Sequence, residues 1–423
     1  MPGADPIQPR SRLGVFRHRD FSLYWAGGLL SNTGTWLQNV TAAVHIYILT
    51  SSALMVGVLS AATFLPILLF GLWGGVASDR MDRRRIIIVT QAIAMGFTIV
   101  LTALAGLGLV TPLILIANAF LVNTAWAFAK PAFVTMLPAL VERDELVDAT
   151  ATNSLQYTLG QLLGPLLSAL ILVVGPPALA YGVNSLTFLG PIVAMALIRT
   201  TSVSPERGSP GSATSALTAG FRYVRHQPVI AAILLGVAAT SALPEAVRTL
   251  SPVFAVQVLA GNESAAGLMI GSHSGGAALL LLLIPTLRRR LGDSRLARLG
   301  VVIQGAGIGL LAVAPGLPVA MVAAALAGMG FAVVFTVLTG RLLSVASDGM
   351  RGRVMSIHTI ANLGLRPGTS VFAGLAATVV DPRIAMGAFL VAVPLGLLAI
   401  QRGDAHSTEY HDGLMAAAAS GDH

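Results

Sequence analysis

Seven residues, Asp79-Arg-Met-Asp-Arg-Arg-Arg85, stand between two apolar stretches of 24 residues each, Leu54–Ala77 and Ile86–Leu109. A helix rises about 1.5 Å per residue, so either stretch is long enough to cross a hydrocarbon core about 30 Å thick. Insertion retains Lys and Arg on the cytoplasmic side of a bilayer. The arginine-rich turn therefore predicts a cytoplasmic loop between two antiparallel membrane helices, and every later apolar stretch must cross in alternation with them.

The rest of the chain fits that constraint. Twelve apolar stretches are expected as membrane helices, near 21–49, 54–78, 86–109, 112–138, 149–174, 177–199, 228–256, 264–287, 295–314, 317–344, 353–379 and 383–401. With the N-terminus inside, the loops predicted to be cytoplasmic collect Arg80, Arg83–Arg85, Arg143, Arg222, Arg225, Arg288–Arg290, Arg341, Arg351 and Arg353. The opposite loops at 50–53, 108–111, 175–177 and 315–318 contain no Lys or Arg, and the last one has only Arg383. Both termini are thus expected in the cytoplasm. Only 10% of residues are charged, against about a quarter in ordinary globular chains, so the net charge of +8 reads as topology and not as a nucleic-acid surface. The chain has no cysteine, which excludes disulfides and thiol chemistry. The first twenty residues lack an apolar core of the signal-peptide kind, so the first span is expected to remain as an anchor.

A Ser/Thr/Pro/Gly-rich segment at 200–216, followed by the amphipathic stretch Leu217–His226, divides the chain into two halves. The expected organisation is an N-terminal six-helix half (1–199), a cytoplasmic linker with an interfacial helix (200–226), a C-terminal six-helix half (227–402) and a disordered tail (403–423). A weak internal repeat supports it. A shift of 202 residues lays Asn153-Ser154 over Met355-Ser356, and Gly164-Pro165 over Arg366-Pro367, in the fifth helix of each half.

These features resemble the major facilitator superfamily of transporters, from about Phe16 to Arg402. Gly75, Asp79, Arg80, Arg83 and Arg84 fit that superfamily's loop signature G-x-x-x-D-R-x-G-R-[KR]; Asp82 stands where a glycine is usual. The D-R-x-D-R-R-R form, with Gly220–Pro228 before helix 7, is similar to the branch of enterobactin exporters and macrolide-efflux permeases. In helix 5, Gly160, Gly164 and Pro165 resemble the core of the antiporter signature, with Ala151 and Ser168-Ala169 departing from it. Asn118 stands near the place of an arginine found in many proton-driven members, so coupling through that arginine is not expected. The resemblance implies an all-α membrane protein with twelve transmembrane helices in two pseudo-symmetric halves, the major facilitator fold. It also implies that Asp79 helps to lock the cytoplasmic side when the cavity faces outward.

Ionisable groups inside a span are costly and mark cavities or partners. Glu245 is the only carboxylate well inside an expected span, and two partners are open to it, Arg366 on helix 11 and Arg248 three residues on. A structural ion pair and a coupling role weigh evenly for Glu245. His358, Asn362, Arg366 and Ser370 recur every four residues as one polar stripe. Interhelical hydrogen bonding explains Asn362 and Ser370, whereas Arg366 needs a carboxylate or an anion, a substrate group among them. His273 lies near mid-membrane; a neutral, hydrogen-bonded histidine outweighs a proton carrier there. Asn32, Trp36 and Asn39 share a face of helix 1, as Asn123, Trp126 and Lys130 do in helix 4. The resemblance makes these two helices cavity-lining, and Lys130 reads as snorkelling to the interface.

The expectation is a secondary transporter of the cytoplasmic membrane. It would export a small amphipathic compound (a drug, macrolide-like metabolite or siderophore) against protons, as a monomer. Import of a nutrient is the close alternative, and a non-transporting sensor a distant one. No metal, cofactor or enzymatic activity is expected: no P-loop, H-E-x-x-H or G-x-S-x-G sequence occurs.

Overall fold

The structure, a computed structural model, describes residues 14–199, 220–259, 264–281, 283–347 and 350–405. The expected linker at 200–216 and nearly all of the expected tail lie outside them. Of the expected interfacial helix, residues 220–226 are described; 220–225 are helical and His226 lies in a turn.

Among the described residues every regular element is a helix. The first six are α1 (Arg19–Thr50), α2 (Ala53–Arg80), α3 (Arg83–Gly106), α4 (Pro112–Met136), α5 (Leu146–Val174) and α6 (Pro177–Leu197). They are followed by α7 (Pro228–Val253), α8 (Ser264–Leu281), α9 (Asp293–Ala312), α10 (Leu317–Val345), α11 (Arg351–Leu363), α12 (Arg366–Val379) and α13 (Pro382–Ala405). A short helix, Ile284–Leu291, carries Arg288–Arg290 in its last turn before α9. Ten of these helices are long and apolar enough to cross a membrane. Of the twelve expected spans, the two outside that set are the 32-residue α1, which carries Asn32, Gln38, Asn39 and His45, and the eleventh, which is two helices of 13 and 14 residues.

Proline explains where helices break. It has no N–H for the carbonyl four residues back, and its ring crowds that carbonyl. Pro367 follows the break between α11 and α12, Pro191 follows the interruption of α6 at Phe188, and Pro394 follows the 3₁₀ turn Phe389–Val391 inside α13. In α7, Pro244 deprives the Thr240 carbonyl of its donor, and Gln304 Nε2 from α9 donates to that oxygen at 3.2 Å. Helix starts are capped by short polar side chains. Ser52 accepts from Met55 N–H, Thr111 from Ile114 N–H and Asp381 from Arg383 N–H, with proline at the first position of α4 and α13.

The cores show how the helices are grouped. At the end bearing the arginine clusters, one apolar core is built from α1, α3, α4, α5 and α6, around Phe21, Tyr24, Ile87 and Met195. A second, around Ile230, Val301, Val337 and Leu338, is built from α7, α9, α10, α11 and α13. At the opposite end a single core runs through both groups, taking Ile46, Val56 and Tyr181 from the first and Val247, Phe254, Met269 and Ala373 from the second. Backbones meet there through small residues, as in membrane bundles generally. Gly57 of α2 lies against Ser370 of α12, and Gly374 of α12 lies against Ala53 of α2. On the arginine-bearing side, a β-carbon at Gly75 or Gly352 would meet nothing within 4 Å. The two groups are joined at one end and parted at the other.

Candidate functional site

The arginine loop is organised by helix ends. Asp82 is the N-cap of α3, its Oδ1 accepting from the backbone N–H of Arg84 at 2.8 Å and of Arg85 at 3.4 Å. This is the physical role of the residue that replaces the usual glycine. Arg83 Nη1 donates to the Thr135 carbonyl in the last turn of α4, at 3.0 Å, and Arg84 Nη2 to the Ala196 carbonyl in the last turn of α6, at 2.9 Å. Cations belong at C-terminal helix ends, where carbonyls lack donors. These bonds fasten the loop to the first six helices. Asp79 and Arg80 are exposed, and among the described residues Asp79 makes no hydrogen bond or ion pair.

On α5 the small residues fit where the sequence pattern put them. Gly160 faces Asn32, and Gly164 faces the α1 backbone, where a β-carbon would sit 2.8 Å from both the Leu37 nitrogen and the Thr33 carbonyl oxygen. The Pro165 carbonyl and Ala169 face Gly267 of α8. One helix thus packs closely on both groups at once.

The charged residues converge. Glu245 of α7 is fully buried. It accepts from the Ser60 hydroxyl of α2 at 2.6 Å and the Thr249 hydroxyl at 3.3 Å, and pairs with Arg248 at 3.4 Å. Of the two partners left open by the sequence, Arg248 makes the ion pair. Arg366, 6% exposed, instead donates from Nη2 to Asn362 Oδ1 at 3.3 Å and places its guanidinium 5.0 Å from the centre of the Phe64 ring of α2. Arg248 places its own 5.3 Å from the Trp36 ring of α1. Both distances are within the range of cation–π attraction. One hydrogen bond and two cation–π contacts thus join three charged residues of α7 and α12 to three residues of α1 and α2. Trp36, Asn39, Ser60, Phe64, Arg248 and Thr249 line a cavity of about 50 Å³ at this junction.

A row of rings runs from α8 through α10 to α11. His273 of α8 lies 6.2 Å from Phe331 of α10, Phe331 lies 5.7 Å from Phe335, and Phe335 lies 5.5 Å from His358 of α11. His358 Nε2 shares a 3.1 Å hydrogen bond with Thr339, whereas His273 Nε2, 5% exposed as a residue, has no partner among the described residues. His273 is the histidine expected to be hydrogen-bonded, and its Nε2 has no such bond among the described residues. Of the expected cavity residues, Trp36 and Asn39 line the cavity. Asn32 instead donates to the Tyr157 carbonyl of α5 at 3.0 Å, Asn123 donates to the Ala119 carbonyl of its own helix, and Trp126 packs on Phe133. Ser60 and Phe64 were not among the sequence candidates. Their signal was a stripe at helical spacing, Ala53, Gly57, Ser60 and Phe64, that reads as ordinary packing. His, Asp and Glu form no metal-like group among the described residues.

Comparison with known proteins agrees with this architecture. A family described as transmembrane secretion effector, within the major facilitator group, matches residues 10–415. The enterobactin exporter EntS of Salmonella choleraesuis (strain SC-B67) is 28% identical over 319 residues, which cover 74% of this chain and 74% of the exporter. The EntS of Escherichia coli O127:H6 is 30% identical over 246 residues, 56% of each chain. Among solved structures, a mutant form of the nucleoside transporter NupG superposes with a TM-score of 0.74 at 11% identity, covering 91% of this chain and 99% of that one. A bacterial homologue of the lysosomal transporter Spinster, in an inward-facing and unoccupied conformation, gives 0.72 at 15% identity, covering 95% and 98%. At such identities these structures speak for the fold alone.

Proposed function

Because the chain belongs to the transmembrane secretion effector family of major facilitator transporters, we propose that it exports a small amphipathic molecule from the cytoplasm by alternating access, driven by protons. In this reading α1 and the α11–α12 pair complete twelve spans, the arginine-bearing end is cytoplasmic, and the halves 1–199 and 227–402 rock about a central site. The EntS relatives are named as exporters, which favours outward transport. A multi-pass place in the bacterial inner membrane and a monomeric carrier go with it.

The observation that carries the reading is the junction at Glu245. Ser60, Trp36 and Phe64 of one half meet Glu245, Arg248 and Arg366 of the other, beside the end where one core runs through both halves. A buried carboxylate shared between halves is suited to coupling: the ionised form accepts from Ser60 and holds the closed end together, and the protonated form weakens that hold. The test is export from inverted vesicles under an imposed pH gradient, with wild type and Glu245→Gln compared. Gradient-driven accumulation lost in the variant supports coupling through Glu245, and unchanged accumulation refutes it.

A further inference from the structure

One face of α2 meets the second group of helices, and the opposite face carries a groove. Gly57, Ser60 and Phe64 touch α7 and α12. Trp73 lies nine residues beyond Phe64, so at about 100° per residue it points to the other side of the helix. Leu69, Leu72, Trp73 and Val76 are exposed there, Trp73 to 68%. On a helix that crosses a membrane, such an apolar stripe is the surface turned to lipid.

Within this stripe, Phe70, Trp73, Val76, Ala77 and Arg80 of α2 and Phe128 of α4 line a groove of about 530 Å³. The sequence shapes it. Gly74 brings the two backbones together, since a β-carbon there would sit 2.4 Å from the Ala127 carbonyl oxygen. Phe70 stacks on Phe128, with ring centres 6.4 Å apart and 24° between their planes. Arg80, the last residue of α2, supplies the one charge in the lining. Ten residues separate it from Phe70, about 15 Å along the helix and about half of a 30 Å hydrocarbon core. The groove therefore has the length of one leaflet and a cation at its surface end.

That cation is free. Arg83 and Arg84 are spent on helix carbonyls, and Asp82 on the α3 cap. Among the described residues the Arg80 guanidinium makes no hydrogen bond or ion pair, and the neighbouring Asp79 carboxylate does not pair with it.

We propose that the groove holds one anionic phospholipid of the leaflet at the arginine-bearing end. Its phosphate sits at Arg80, and one acyl chain lies along Phe70, Trp73 and Phe128. Charge complementarity selects this occupant. A zwitterionic headgroup brings its own cation towards the arginine, and a protein surface without an acidic group would bury that arginine unpaired. The topology proposed above makes this the cytoplasmic leaflet. Binding is measured without transport, so the lipid site and the exporter stand or fall separately.

The experiment places the full chain in vesicles whose lipids carry brominated acyl chains, which quench tryptophan on contact. The chain has four tryptophans, so the Trp73 signal is the wild-type fluorescence less that of Trp73→Phe. Brominated phosphatidylglycerol in plain phosphatidylcholine, and the reverse mixture, give the relative affinity of the two lipids beside Trp73. Phosphatidylglycerol should be favoured about fivefold, the effect of one arginine at an anionic surface. Arg80→Gln should bring the ratio close to one, and Arg80→Lys should keep most of the preference. Arg289→Gln, which removes another exposed arginine at the same end, should leave the ratio unchanged. A ratio of one in the wild type overturns the proposal, as does equal loss in Arg80→Gln and Arg289→Gln, which would mean diffuse attraction only. Absence of Trp73 quenching by either lipid would mean that protein covers the groove, and also overturns it. Loss of the preference to added inorganic phosphate at matched ionic strength would make Arg80 a site for free anions and not for a lipid.

Discussion

At Glu245 three donors converge on one buried carboxylate, and each comes from a different source: Ser60 from across the interface, Thr249 from the next turn, and Arg248 as an ion. Breaking a buried pair by removing one partner costs about 3–5 kcal/mol, because the other charge is left uncompensated. Glu245→Gln is therefore expected to lower the thermal midpoint of the purified protein in detergent as well as abolish gradient-driven transport. Ser60→Ala removes only the bond that crosses between halves, worth roughly 1.5–3 kcal/mol for a charged acceptor. It should leave the midpoint closer to wild type while still slowing turnover, as measured by efflux rate at matched protein level. Sequence reasoning found Glu245, Arg248 and Arg366 because charge in an apolar helix is conspicuous. It could not choose the partner of Glu245, since the ion pair depends on a side-chain orientation that spacing does not fix. It passed over Ser60 and Phe64 because hydroxyls and phenylalanines are common in membrane helices.

Helices carry the next level. Ten of the twelve expected spans were legible in order and approximate ends, because apolar length is a strong signal. The breaks at Phe188 and at 364–365 were not drawn from Pro191 and Pro367, although the chemistry was in view; an apolar run continuous through a proline hides the lost hydrogen bond. Asp82 and Asp79 separate capping from movement. Asp82→Ala deletes the α3 cap and should cost about 1 kcal/mol, seen as a lower unfolding midpoint. Asp79→Asn touches no contact among the described residues, so stability should hold while turnover falls, if Asp79 acts in the conformation where the arginine-bearing end is closed. Normal turnover in that variant would remove the latch role. On α5, Gly164→Val forces a side chain into the α1 backbone and should reduce folded yield, by overpacking of about 1–3 kcal/mol or more, whereas Gly75→Ala, on an open face, should not.

The whole molecule is joined at one end and parted at the other, and the three contacts made by Glu245, Arg248 and Arg366 lie on the joined side of its middle. A carrier that rocks must undo these contacts when it opens the opposite way, so weakening them shifts its population. The absence of cysteine makes the motion directly measurable. Spin labels on Met81→Cys and Arg353→Cys sit on the two halves at the arginine-bearing end, both at exposed positions. Electron–electron distance measurement in nanodiscs should give a long distance in the otherwise wild-type protein, and a shorter population that grows when Glu245→Gln is added. One unchanged distance distribution in both proteins would contradict rocking about the Glu245 contact.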